Sequence, residues 1–316
     1  MMKKKRNWLY LALCLLFGIL FCVACGGKQQ TETTTAAKAE SSSQAAAAEE
    51  GLSADSRVVA LSRSVGEMRL LAGGNLVGVT DDATDLEGLS KACTSVGKLS
   101  APSAEAILAL HPAFVLTAPD IPAQREVRKT LEAAGVRCQA VDINNFADYA
   151  SVMQSFTAET GRTDLYEKNV TAVQQKIDSV KAALPSEIKG KTFLVIRASA
   201  AKTKVLKSDH FTVAMLEDLG LTNAAPESLL NQLSMEGITE ANPDYLFVIF
   251  QGDPKEAEVV YRELIGGQPA YDQLKAVKDG HTAVLPKDLF QYKPNARWGE
   301  AYAKLAELLG GVAAKQ

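Results

Sequence analysis

Ser103-Ala104-Glu105-Ala106-Ile107, closed by Pro112 and followed by Phe114-Val115-Leu116-Thr117, returns 131 residues later as Ser234-Met235-Glu236-Gly237-Ile238, closed by Pro243 and followed by Tyr245 to Phe250. In each copy a serine opens a short helical stretch, a proline nine positions on stops it, and an apolar strand begins two residues later. The segments opening each copy, Arg57 to Ser64 and Lys191 to Ser199, stand at nearly the same offset. The chain therefore carries two similar αβ units in tandem.

Outward from the first copy, Val58 to Leu61 reads as a strand, Val65 to Ala72 as a helix closed by Gly73-Gly74, and Leu76 to Val79 as a strand. Gln124 to Ala134 is a helix ended by Gly135, with Val136 to Val141 another strand. Between the copies, Tyr166, Val170, Val173, Ile177, Val180 and Leu184 form one apolar stripe on a helix of roughly 20 residues and about 30 Å. Pro185 ends it, and Thr192 to Arg197 restarts the alternation. The expectation is an α/β protein with parallel sheets: two similar Rossmann-like αβ lobes joined by one long rigid helix, with a ligand cleft between them. The expected boundaries are lobes at 56–163 and 186–316, with the helix at 164–185.

The N-terminus has a different character. Met1 to Asn7 is basic, and Trp8 to Val23 is an apolar run of 16 residues, short for a membrane span, which needs about 20. It ends in Cys22-Val23-Ala24-Cys25-Gly26-Gly27, which resembles a bacterial lipobox. Residues 1–24 would then be a lipoprotein signal peptide and Cys25 the lipidated first residue, carrying acyl chains such as palmitate. Cys22 stands where that pattern prefers leucine, and an uncleaved anchor is the alternative. Both readings place the folded part outside the cytoplasm, held at the cell membrane. Lys28 to about Asp55 has almost no large apolar residue and reads as a flexible tether, so 25–55 is anchor plus linker.

With 47% apolar and 22% charged residues in 316, the chain can bury a sizeable core. Its net charge is −3, or −7 once Lys3, Lys4, Lys5 and Arg6 are set aside. A body with no basic stripe does not neutralise phosphates, so no nucleic-acid partner is expected. Cys93 and Cys138 could pair in an oxidising compartment; they lack zinc-site clustering and otherwise read as small buried residues.

Arg57-Val58-Val59-Ala60-Leu61-Ser62, Leu76-Val77-Gly78-Val79-Thr80-Asp81, and Pro102-Ser103 through Ile107-Leu108-Ala109-Leu110-His111-Pro112 together resemble one family. It is the helical-backbone class of ABC-transporter substrate-binding proteins, which capture ferric siderophores, haem or cobalamin. Leu233-Ser234-Met235-Glu236, Asn242-Pro243-Asp244-Tyr245 and Asp288-Leu289-Phe290-Gln291-Tyr292-Lys293-Pro294 agree, and the likeness runs from about Arg57 to Leu309. The resemblance implies a monomeric receptor with no intrinsic cofactor. It would bind a small-molecule chelate, of iron-siderophore type or else haem or cobalamin, in a largely preformed site. It would then deliver that ligand to an ABC permease and its ATPase subunits.

Ligand contacts in this family come from loops after the strands. That nominates Ser62, Arg63, Ser64, Thr80, Asp81, Thr117 and Pro119 in the first lobe, and Arg197, Ser199, Phe250, Gln251, Phe290 and Tyr292 in the second. Arg63 and Arg197 follow apolar strands at matching places in the repeat and suit carboxylates or catecholate oxygens. The alternative for each is a solvated strand end or an ion pair with a nearby carboxylate. The resemblance also implies that Glu105 and Glu236 dock arginine pockets of the permease. Ser103 and Ser234 as N-caps, with the glutamates complementing the helix dipole, account for the same pattern.

Asn295 reads as the N-cap of a last helix striped by Trp298, Leu305 and Leu308. Arg297 in its first turn opposes the dipole by about 0.3–1 kcal/mol, which a ligand or carboxylate would offset. His111 and His281 read as surface residues, while His210 is placed to reach the cleft as a haem ligand. Three histidines are too few for a naked zinc or manganese carrier. Ser199-Ala200-Ala201-Lys202 matches the Ser-x-x-Lys signature, so a serine-hydrolase lipoprotein is the rival from another class. That chemistry needs a helix to bring lysine beside serine, whereas Thr203 to Leu206 reads extended.

Overall fold

The computed structural model describes residues 53–310, which fall within one compact unit. The stretch read as a signal peptide, Cys25 and most of the expected tether lie outside the described residues.

The first half carries strands β1 (Val58–Ala60), β2 (Gly78–Val79), β3 (Thr94–Ser95), β6 (Phe114–Thr117) and β7 (Cys138–Ala140) in one parallel sheet, ordered β3-β2-β1-β6-β7. A small hairpin, β4 (Gly97–Lys98) with β5 (Ala101–Pro102), sits beside it. Its helices are α1 (Arg63–Leu71), α2 (Ala104–Ala109), α3 (Pro122–Ala133) and α4 (Phe146–Thr160). The helix between the halves is α5 (Thr163–Tyr166), a π-turn over Glu167–Thr171, and α6 (Ala172–Ala183). The second half has β8 (Thr192–Ala198), β10 (Thr222–Asn223), β11 (Tyr245–Phe250) and β12 (Thr282–Val284) in the parallel order β10-β8-β11-β12. Strand β9 (Thr203–Val205) turns back antiparallel on β8. Its helices are α7 (Phe211–Asp218), α8 (Glu227–Asn231), α9 (Met235–Ala241), α10 (Pro254–Tyr261), α11 (Lys275–Lys278), α12 (Lys287–Phe290) and α13 (Trp298–Leu308).

The repeat is physical as well as textual. Ser103 caps α2 by accepting the Ala106 N–H at 3.2 Å, and Ser234 caps α9 by accepting that of Gly237 at 3.1 Å. Past each helix a left-handed residue, His111 (φ 45) or Asn242 (φ 36), precedes the proline. The following strand then pairs centrally with the first strand of its half, β6 with β1 and β11 with β8.

The expected interlobe helix is present, with one departure from regularity. The π-turn inserts a residue and rotates the stripe, so that Asn169 and Val170 are both buried. Asn169 then bonds across the boundary of its own helix: its Nδ2 donates to the Leu71 carbonyl at 2.9 Å, and its carbonyl accepts the Tyr149 hydroxyl at 3.2 Å. Beyond it Val173, Ile177 and Val180 continue inward.

A single apolar core spans both sheets. It takes Val58 and Leu116 from the first, Phe193, Val195 and Phe247 from the second, Ile177 from α6 and Trp298 from α13. The opposite faces of β1 and β8 feed separate smaller cores, so these strands are buried on both sides, as central parallel strands are. Trp298 is fully buried against Phe146, Tyr149 and Phe211, with ring centroids 5.9, 6.4 and 6.0 Å away.

Asn295 does not cap α13 with its side chain. It sits in the left-handed region (φ 48), and its Nδ2 donates to the Ser64 carbonyl at 3.0 Å and to Glu67 Oε2 at 2.7 Å. The cap is forgone for a bridge between the halves, which burial of Asn295 makes the stronger need. Cys93 and Cys138 are free and half-buried. They flank opposite edges of one five-stranded sheet, four strand spacings or about 19 Å apart, beyond disulfide reach.

Truncating the centre of the shared core tests its weight. Trp298→Ala is expected to cost about 3–5 kcal/mol, read as a lower urea midpoint by circular dichroism.

Candidate functional site

The parallel strands of both halves end at one cavity of about 800 Å³, within the usual range for small-molecule sites. The first half contributes segments after β1, β6 and β7. The second contributes Arg197, the β8–β9 hairpin, the start of α7, Gln251 after β11, and Gln291 to Lys293.

Of the expected contacts, Ser62, Arg63, Ser64, Pro119, Arg197, His210, Gln251 and Tyr292 line the cavity. Thr80, Asp81, Thr117, Ser199, Phe250, Phe290 and Arg297 are not among its lining residues, each for a local reason. Thr80 is fully buried beneath the surface, and the Asp81 carboxylate accepts the Ser95 hydroxyl. Thr117 is buried within β6 and donates to the Gln139 carbonyl at 3.3 Å. Phe250 packs on Tyr261, and Phe290 belongs to the shared core. Arg297 pairs with Asp288 and Glu300, both at 2.9 Å, so carboxylates rather than a ligand answer its charge. Ser199 closes a turn in which its hydroxyl donates to the Lys202 carbonyl at 2.9 Å and accepts the Lys202 N–H at 3.1 Å. The backbone of Lys202, not its ammonium, meets the serine, and the acyl-enzyme reading has no geometry to stand on.

The two arginines that match in the repeat differ in their surroundings. Arg63 forms an ion pair with Asp85, donates to the Asp82 carbonyl at 2.9 Å, and lies over the Tyr292 ring at 5.9 Å. The Asp82 carboxylate also accepts the Arg63 N–H at 3.0 Å, so this cation is answered by the protein. The Arg197 side chain has no ion-pair or hydrogen-bond partner among the described residues; burial works against its charged form, and only the Asp120 charge acts in its favour. Directly across the hairpin, in register with Arg197, stands Lys204. Cations placed opposite each other on paired strands repel, and burial and Arg197 together lower the Lys204 pKa. Lys202, Lys207 and Lys293 complete the group, none of them ion-paired with a described residue. Lys293 reaches across the cavity to donate to the Ile143 carbonyl at 2.7 Å, and its N–H donates to Ser64 Oγ at 3.3 Å.

Lys204 and Lys293 escaped the sequence reading. The alternation Thr203-Lys204-Val205 puts lysine on one face of a strand, but only the hairpin register says that Arg197 shares it.

His210 caps α7 by accepting the Thr212 N–H on Nδ1 at 3.3 Å, which assigns the ring proton to Nε2. Burial, then the cations Arg197, Lys293 and Lys204, push its pKa down to about 3. No group of three or more His, Cys, Asp or Glu side chains able to hold a metal ion occurs among the described residues.

The comparisons with known proteins agree with this geometry. The family model described as periplasmic binding protein matches residues 58–289, and the chain belongs to that family, one of binding proteins rather than enzymes. An iron-uptake system-binding protein of Bacillus subtilis (strain 168) is 25% identical over 214 residues, 66% of this chain and 64% of the relative, so the match spans less than two thirds of that protein. Among solved structures, S. aureus IsdE complexed with heme superposes with a TM-score of 0.68 at 17% identity, covering 81% of this chain and 99% of that one. The triscatecholate siderophore binding protein FeuA from Bacillus subtilis, complexed with ferri-bacillibactin, gives 0.64 at 20%, covering 81% and 93%. At these identities the structures are alike in fold.

The depressed His210 pKa has a measurable sign. Below about 6.5 the unfolded chain takes up a proton that the folded protein refuses until about pH 3, so stability falls as pH drops through that window. His210→Asn, which keeps a capping acceptor, is expected to narrow the loss in unfolding free energy between pH 7 and pH 5 by up to about 2 kcal/mol.

Proposed function

We propose that this chain is the extracytoplasmic, lipid-anchored receptor of an ABC importer, and that it captures an anionic ferric chelate of siderophore type. The observation that carries the reading is the in-register Arg197–Lys204 pair facing the cavity with Lys202, Lys207 and Lys293; Asp82, Asp120, Asp142 and Asp209 also line it, but none is ion-paired with these cations among the described residues, and with Arg63 the cations outnumber the carboxylates. Catecholate or hydroxycarboxylate oxygens would supply that charge and accept hydrogen bonds from guanidinium and ammonium groups. The relative named for iron uptake and the neighbours solved with haem and with a ferric triscatecholate support an iron-bearing cargo.

Haem is the second reading, favoured by His210 in the cavity wall. Its hydrogen bonding argues otherwise. A ligating imidazole donates its second N–H to an acceptor, whereas Nδ1 of His210 is itself the acceptor for the Thr212 N–H. Coordination through Nε2 would place two N–H groups against each other.

Glu105 and Glu236 are exposed, each in the first turn after its capping serine. Their equivalent places on the two halves suit a permease with paired basic pockets. The capping role of the serines leaves both carboxylates available for that contact.

Trp298 is the sole tryptophan of a form beginning at Gly51, and its ring lies 6.0 Å from that of Phe211 in the cavity wall. Saturable quenching is expected with ferric catecholate or hydroxycarboxylate complexes, weakening with salt, and none with a cationic ferric trihydroxamate. Quenching by haem or cobalamin alone would overturn the siderophore reading. Lys204→Ala should weaken binding of the anionic complex about tenfold. In cells, Glu105→Ala with Glu236→Ala should leave binding intact and abolish uptake; unchanged uptake would remove the docking assignment.

A further inference from the structure

Three segments of the first half reach the cavity from different parts of the fold: Ser62 to Ser64, which follow Leu61 at the end of β1, Leu99 in the β4–β5 turn, and Ala118 to Ile121 after β6. One side chain holds all three. Gln124, in the first turn of α3, is fully buried. Its Nε2 donates to the Leu61 carbonyl and, at 3.3 Å, to the Leu99 carbonyl. Its Oε1 accepts the Ala118 N–H at 2.8 Å. Both amide hydrogens and one acceptor site are thus spent on main chain next to the ligand wall. A buried peptide group that loses its partner is costly, so these segments are fixed where Gln124 fixes them.

The other half lacks the device. Pro122 and Pro254 both open the helix that follows the repeated strand of their half, β6 and β11, which places Glu256 opposite Gln124. Glu256 is exposed, and the loop beyond β8 closes only on itself through Ser199 and Lys202. The first-half wall is pinned from beneath and the second-half wall is not.

We infer that Gln124 is a positioning residue of the ligand site: through its three hydrogen bonds it sets the geometry of the first-half wall against which the ligand is pressed. The inference rests on the interlobe cavity being the ligand site, as proposed above.

The test compares the full chain with Gln124→Leu, which keeps volume and loses every hydrogen bond, and Gln124→Glu, which keeps the acceptor for Ala118 and loses both donors. Ile177→Ala, a core truncation in α6, shows what lost stability alone does. Hydrogen–deuterium exchange of the ligand-free protein should speed about tenfold or more at amides 62–64, 99–100 and 118–121 in Gln124→Leu, with β8 and β11 unchanged. Gln124→Glu should loosen 62–64 and 99–100 and spare 118. Dissociation of a ferric triscatecholate should quicken in both variants and not in Ile177→Ala. Exchange that is unchanged, or raised evenly over both halves as in Ile177→Ala, would overturn the assignment. If the wild-type chain binds no member of the chelate panel, the function proposed above fails while the exchange measurement still decides the role of Gln124.

Discussion

The burial of Trp298 is the constraint on which the arrangement of the two halves depends. A ring of that size needs apolar neighbours on every side, and no one sheet supplies them. Phe146 and Tyr149 come from the first half, Phe211 from the second, and the indole itself from the last helix. Once the ring is enclosed, the two sheets share one core and cannot separate without opening it to water. Asn295 and Lys293, just upstream, add directed bonds to Ser64, Glu67 and Ile143 across the same boundary. Burial raises the Glu67 pKa against the opposing hydrogen bond from Asn295, which shows how far inside this seam lies. The cavity is consequently a fixed space, and a ligand entering it need not drive large domain closure.

Within that fixed space the charges are poorly matched to one another. Arg63 is neutralised locally, while Arg197 and Lys204 face each other across a hairpin and, after burial and together with Lys293, disfavour protonation of His210. Such an arrangement works against the stability of the empty protein. On the function proposed above, a polyanionic ligand would turn the same repulsion into attraction.

Much of the architecture was legible because it is written in local rules. The strand Phe114–Thr117 has its expected bounds, and Ser103 and Ser234 cap as their types require. The long helix followed from its stripe, but the π-turn at Glu167–Thr171 did not, because its cause is the tertiary demand of burying Asn169 with bonds to Leu71 and Tyr149. The site was legible in outline only. Arg63 and Arg197 are equivalent in the repeat, and what separates them is Asp82 and Asp85, brought to Arg63 by the loop after β2. Asn295 looked like a cap because asparagine before a helix usually is one; a distant glutamate competed for its amide and won. Gln124 carried no signal at all, since a glutamine in the first turn of a helix normally faces water.

The hairpin formed by β8 and β9 carries a consequence for how such a protein can change over generations. Strand β9 is three residues long, pairs only with β8, and lies off the main order of its sheet. Val205 is buried in the smaller core, but Lys204 is spent on neither packing nor folding. Exchanging that one side chain, with its neighbours at 202 and 207, would rewrite the charge that the cavity presents while leaving every core contact in place. On the function proposed above, cargo preference would be modular: substitutions at a peripheral strand would change the charge that a chelate meets, with the core of both halves left intact.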